Sequence, residues 1–258
     1  MDLAEALAGL ETALPAGSLI APEDGGAPVL WLSDRTSDAD LWRRLVAEHP
    51  RSGLQPLVLE ELSWNDDEFR PWASGELYPS HMSSPDRCDA ATVLDVWWQR
   101  YAAQDDGSSL VSPYGADWPG LAEGARFDPG AVAEAASDLA TELFADKGRR
   151  IGLVAAPDDV TALTTVGWSG PLNYENDTGL FGAVLADWRR RFGTTVVGAG
   201  FATLHVSVAA PPKNLAEALP VAAELFAFCP DSVWQGAGNL EFLAERIVDG
   251  RTWSFWWD

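Results

Sequence analysis

Thr194-Thr195-Val196-Val197-Gly198-Ala199-Gly200-Phe201-Ala202-Thr203-Leu204-His205-Val206-Ser207-Val208 reads as two strands joined through Gly198-Ala199-Gly200. Residues 194–197 and 201–209 are rich in β-branched and aromatic side chains, and a glycine-bearing link of this length is a hairpin signal. In the second strand Leu204, Val206 and Val208 point one way and Thr203, His205 and Ser207 the other. Upstream, Leu180, Phe181, Val184, Leu185, Trp188 and Phe192 recur at the helical period after Asp177 as cap, and Gly193 ends that helix. Before it come a strand over 150–155 and a short helix over 157–166. Downstream, Asn214 and Glu217 have capping-box spacing and open a helix to Phe228, with Pro220 inside it predicting a kink. A further helix starts at Asn239, and Trp253-Ser254-Phe255-Trp256-Trp257 is a closing strand.

The resulting order β-α-β-β-α-β, with extra helices, predicts an α+β fold built on a ferredoxin-like split β-α-β sheet over residues 149–258. Such a sheet carries helices on one face. The closing strand nevertheless sets Trp253, Phe255 and Trp257 on one side and Trp256 on the other, so the second face needs a cover. The N-terminal region, residues 1–148, is the expected cover. There Leu3, Leu7, Leu10 and Leu14 suggest a short helix. A strand at 29–32, a helix from Ser37 or Asp38 to about His49 and a strand at 57–59 read as a βαβ unit with parallel strands. Residues 63–88 form a long polar loop holding Trp64, Trp72, Tyr78 and Met82. Two helices follow, from Asp89 to Ala103 and from Asp128-Pro129, an N-cap with proline at the first helical position. Asp146-Lys147-Gly148 marks the expected boundary.

Composition narrows the class. Thirteen Trp, ten Phe and four Tyr in 258 residues supply a real core, since each buried aromatic removes about 150–250 Å² from water. The net charge is −22, and it is uneven: 27 acidic against 9 basic side chains up to Gly148, 12 against 8 after it. That field repels phosphate backbones and anionic headgroups, so nucleic acid and membrane surfaces are disfavoured and a basic protein partner is favoured. It also serves plain solubility. Two cysteines, Cys88 and Cys229, do not make a disulfide framework, and the N-terminus lacks the basic and apolar regions of a signal peptide. No apolar run reaches the roughly 18 residues of a membrane span. These features predict a cytoplasmic protein. The alanine-rich chain, with Lys147 and Lys213 its only lysines, suggests a GC-rich bacterial genome.

Several blocks carry a resemblance: Arg150-Ile151-Gly152-Leu153-Val154, Gly167-Trp168, Asn173-Tyr174-Glu175-Asn176-Asp177, Ala183 to Trp188, Phe201 to His205, Phe228-Cys229-Pro230-Asp231 with Gln235-Gly236, and the ending Trp253 to Asp258. In these the segment 149–258 resembles the bacterial family DUF4253. The resemblance implies a family and no reaction, cofactor or catalytic residue.

The chemistry-bearing residues are therefore weighed on their own. Asn173, Glu175, Asn176 and Asp177 are dense enough to hold a polar ligand, with Trp234 and Gln235 as further binding candidates. Asp177 is equally a helix cap and Asn173 a turn residue. The cluster falls short of the about six to eight oxygens that calcium takes, and no metal site or cofactor is assigned. Cys229, at a helix C-terminus, lacks the setting that activates a thiol and reads as a buried apolar residue. His205 is the candidate general base, with Asp231 or Glu175 to orient it. Asp258 calls for a cationic partner such as Arg150 or Arg251. No phosphate loop, nucleophile elbow or zinc-ligand spacing is present. Two readings follow. One is a non-enzymatic protein-binding module, of immunity or antitoxin type, facing a basic partner. The other is a small-molecule or divalent-metal-dependent enzyme built around Glu175, Asp177, His205 and Asp231. A third, purely structural reading makes each of these groups a cap, a turn or a satisfied core residue.

Overall fold

The computed structural model describes residues 2–62, 68–104 and 110–258. Trp64 of the expected aromatic loop lies outside them. Among the described residues one open mixed sheet contains β1 (Gly17–Ile20), β2 (Leu30–Ser33), β3 (Leu54–Leu59), β4 (Arg150–Ala155), β5 (Thr194–Ala199), β6 (Thr203–Val208) and β7 (Thr252–Trp256). Their spatial order is β1-β2-β4-β3-β5-β6-β7. The class is α+β. The strands assigned to the two sequence regions are interleaved, however: β4 lies between β2 and β3 and runs antiparallel to both.

This corrects two details of the sequence reading. β2 and β3, joined by α2 (Ala39–Ser52), do run in the same direction, but they are not paired with each other. The sheet over 149–258 is also not closed by its own strands, because β3 separates β4 from β5 and pairs parallel with β5 at Val58 and Leu59. Gly152 explains how β4 fits. A Cβ there would lie 2.4 Å from the Leu59 side chain and 2.9 Å from that of Leu30. The two leucines occupy the space a side chain would need, one from each flanking strand. Pro56 is tolerated in this central strand because the short ladder to β5 does not reach it.

Both faces of the sheet are covered. On one side α1 (Leu3–Ala8), α2 and α4 (Pro129–Ala145) bury Leu41, Trp42, Leu45 and Leu139 against Trp31, Val58, Ile151 and Val197. All three helices come from the N-terminal region, the expected cover, but they leave Trp256, the residue that called for one, exposed. On the other side lie α3 (Ala90–Ala102), α5 (Asp159–Val166), α6 (Thr178–Phe192), α7 (Leu215–Phe228) and α8 (Leu240–Ile247). Pro50 and Pro220 sit inside α2 and α7 without ending them. The closing strand feeds this second core: Trp253, Phe255 and Trp257 are buried and meet Trp188, Phe228 and Trp168 at ring distances of 4.8–5.9 Å. Ser254 and Trp256 stay exposed on the opposite face. A short strand at β1 and a π-helical turn at Ser232–Ala237 have no counterpart in the sequence reading. No helix among the described residues is long and apolar enough to cross a membrane.

One buried ionic group ties the long 110–128 connection to this core. Glu224, fully buried on α7, receives both Arg191 guanidinium nitrogens at 2.9 and 2.6 Å, Trp188 Nε1 at 2.7 Å and the Ala122 amide at 2.6 Å. All of these neighbours are donors, so the geometry suits the carboxylate anion. Arg191 in turn donates to Ala122 O and pairs with Asp187. Removing one partner of such a pair leaves the other charge buried and uncompensated, which costs about 3–5 kcal/mol. Glu224→Ala is therefore expected to lower the unfolding free energy by about that amount in urea titration, whereas Arg190→Ala, on the exposed side of α6 next to Arg191, shifts it by less than about 1 kcal/mol.

Candidate functional site

β2, β3, β5 and β7 all run in one direction, so their carboxyl ends share one edge of the sheet. In open sheets with helices on both faces, ligands bind beyond this edge. Here a cleft of about 320 Å³ opens between Leu62, the Pro71–Tyr78 turn, the Ser169–Asn173 loop, Phe201-Ala202 and Trp257-Asp258. Tyr78, Phe201 and Trp257 supply aromatic surface, and Leu62 and Leu172 are exposed on its rim. Among the described residues its charged lining groups are the carboxylates of Glu76 and Asp258, and no Lys or Arg lines it. Arg70 pairs with Glu76 from outside, through Nε at 2.5 Å, and sits 5.2 Å over the Phe201 ring.

Asp231 lies behind this cleft and is tied to it through the backbone of Asp258. It is 1% exposed. The Tyr174 hydroxyl donates to its Oδ2 at 2.8 Å, the Asp258 amide to the same oxygen at 3.1 Å, and Gln235 Nε2 to Oδ1 at 2.9 Å. Burial first, then the neighbouring Asp231 carboxylate, pushes the Tyr174 phenol above its ordinary value, so it remains a donor. Cys229, two residues before Asp231, donates its thiol to Trp256 O at 3.0 Å, and burial pushes that thiol up to about 12. It is a buried, unactivated thiol, as its place at the end of α7 implied.

A second polar cluster stands on the face of the sheet covered by α4. Glu60, at the end of β3, is 8% exposed. It accepts from the Thr203 hydroxyl, lies 2.7 Å from Arg149 and 3.2 Å from His205 Nε2. The other ring nitrogen, Nδ1, is 3.1 Å from Ser254 Oγ. Register places these groups: His205 stands opposite Ser254 and Thr203 opposite Trp256. Gly200 makes room for Glu60, since a Cβ there would lie 2.4 Å from the Glu60 side chain. Burial raises the Glu60 carboxyl, but the bonds from His205 and Thr203 and the Arg149 charge outweigh it and hold the group below its ordinary value.

The residues singled out by sequence are thus divided. Asn173 lines the cleft and Gln235 holds Asp231. Trp234 packs edge-on against Tyr101 and Phe226. Glu175 lies 4.0 Å from Arg100 and accepts from the amide of the exposed Asn176. Asp177 caps α6 and also accepts from Ser83 N at 2.8 Å. His205 finds Glu60 and Ser254, not Asp231 or Glu175, as its partners. Each of Glu175, Asp177, His205 and Asp231 is bonded to a different set of neighbours. Among the described residues no group of three His, Cys, Asp or Glu side chains is placed to hold a metal ion. The cations expected near Asp258 are engaged elsewhere: Arg251 with Glu134 and Asp138, Arg150 over the Phe69 ring at 4.0 Å. Glu60, Arg149 and Ser254 escaped notice in the sequence. The signal that could have raised them is the placement of Thr203, His205 and Ser207 on the polar side of one strand, which requires polar partners.

Residues 150–258 match the family described as Domain of unknown function (DUF4253). No curated protein and no solved structure matches the chain. Tyr174, Asp231, Gln235 and Asp258, which meet around the Asp231 carboxylate behind the cleft, come from separate blocks of that matched segment.

Because the Glu60 carboxyl is held below its ordinary value of 4.5, it contributes stability that is present above that pH and is lost as pH falls through the folded-state value. The difference in unfolding free energy between the native chain and Glu60→Gln is expected to be flat above pH 4.5 and to narrow below it. Paired chemical denaturation curves across that range check this.

Proposed function

We propose that this chain is a cytoplasmic bacterial binding module for a basic protein, of the immunity or antitoxin kind, and that the cleft at the carboxyl edge takes a cationic side chain of that partner. The observation that carries the reading is the cleft lining, which joins aromatic faces and the Asp258 carboxylate and, among the described residues, holds no cationic group. Aromatic rings attract Lys and Arg through their faces, and Arg70 already uses Phe201 in this way. The net charge of −22 steers a basic partner toward the molecule. Exposed Leu62 and Leu172 offer apolar contact beside the charge, and a volume of about 320 Å³ suits one or two side chains rather than a large cofactor. Cys88 and Cys229 are both free thiols, which fits a reducing compartment.

Titration with a fluorescent Arg- and Lys-rich peptide tests this. Binding is expected at low ionic strength, weakening as salt rises, with an acidic peptide of equal length failing to bind. Asp258→Asn should weaken binding by roughly two- to fivefold, the worth of one exposed charge contact. Glu142→Gln, an exposed carboxylate on α4, should leave it nearly unchanged. Equal binding of the acidic peptide, or equal losses in both variants, would overturn the assignment of the cleft.

A further inference from the structure

The Glu60, His205 and Ser254 cluster is independent of the cleft and of the binding role proposed for it. Glu60 is ionised and can only accept, so His205 Nε2, 3.2 Å away, carries the imidazole proton. In the neutral imidazole Nδ1 is then the unprotonated nitrogen. It faces Ser254 Oγ at 3.1 Å, and in that tautomer the serine hydroxyl donates to it. The order of groups is hydroxyl, imidazole, buried carboxylate, the arrangement that activates a serine for attack. The two ring nitrogens have exchanged roles relative to the commoner geometry, in which the carboxylate takes Nδ1. Either nitrogen can accept a proton, so the exchange alters orientation and not chemistry.

The surroundings support activity rather than plain satisfaction of a polar group. Glu60 is fixed by Arg149 and Thr203, so it needs nothing further from His205 to be paired. Ser254 is exposed, and Trp256 beside it on the same face presents a ring that is 37% accessible. β7 ends the sheet order. Val208 N bonds Arg251 O and Trp257 N bonds Ala202 O, so alternation turns the Ser254 and Trp256 amides away from β6. Among the described residues neither amide has an acceptor; Cys229 covers the edge at Trp256 O, which leaves the amide of the exposed Ser254 to face a developing oxyanion.

We propose that Ser254 is a nucleophile for acyl transfer from small carboxylic esters with a flat apolar part, with His205 as its general base and Glu60 as a positioning residue. Ser254 Oγ bonds to the ester carbonyl carbon while its proton passes to His205 Nδ1. The tetrahedral adduct collapses, the bond from carbon to the alkoxy oxygen breaks, and the alcohol leaves with the proton from His205. Water, deprotonated by the same nitrogen, then attacks the acyl-serine, releasing the carboxylic acid and restoring the hydroxyl.

A fluorophosphonate probe, followed by intact-mass and peptide analysis, tests the assignment, with p-nitrophenyl acetate hydrolysis as a second readout. One adduct per chain on Ser254 is expected, absent in Ser254→Ala, which changes an exposed side chain and retains the native melting curve. His205→Gln should slow labelling at least about 100-fold, the usual worth of a general base. Glu60→Gln should slow it about tenfold at unchanged circular dichroism, with partial recovery in Glu60→Asp, which a merely structural role for Glu60 would not produce. Folded native chain that takes no adduct, or that is labelled equally in Ser254→Ala, overturns the proposal.

Discussion

The insertion of β4 between β2 and β3 is the constraint on which the rest of the structure depends. It makes one sheet of strands that are distant in sequence and sets Arg149 beside Glu60. It works only because Gly152 leaves its space to Leu30 and Leu59. The covering layers follow from it. Helices from the first 148 residues cover one face, and those of the matched segment, with α3, cover the other. The segment 150–258 is therefore a unit of sequence similarity without being a closed unit of structure. Its own β4 and β5 meet only through β3, a strand supplied from outside the segment.

Buried charge in this protein is handled by surrounding each anion with donors. Glu224 faces Arg191, Trp188 and the Ala122 amide, and Asp231 faces Tyr174, Gln235 and the Asp258 amide. An anion removed from water costs several kcal/mol unless its lone pairs are satisfied. These arrangements meet that cost with groups drawn from different elements. Glu60 has the same character, but one of its donors, His205, leads onward to an exposed hydroxyl. That difference separates a group that only holds the fold from one that can pass a proton.

Much of the fold was legible in the sequence because its signals are local. The period of Leu180 to Phe192, the caps at Asp128, Asp177, Asn214 and Asn239, and the alternation of Trp253, Phe255 and Trp257 each lie within one element, and each is realised. The interleaving of strands was not legible, since nothing in β2 or β3 states which strand will stand between them. β1 was missed for another reason: Gly17–Ile20 is short and mostly exposed, so it has no apolar pattern to read. Of the candidate site, His205 and Asp231 stood out as residue types, but their partners did not. His205 meets Glu60 across 145 positions of chain, and Asp231 meets Tyr174 across 57. Periodicity and capping describe neighbours along the chain and are silent about such meetings.

The Asp231 cluster makes the position of Asp258, at the cleft, a record of completed folding. Its three donors belong to a loop before α6, a π-helical turn after α7 and the end of the last strand. No partial assembly of the domain brings all three together. If one segment opens, the carboxylate loses a donor while still buried, and the remaining bonds weaken with it. The cleft is thereby coupled, through Asp258, to the integrity of regions that do not line it, so an incompletely assembled chain presents no finished cleft.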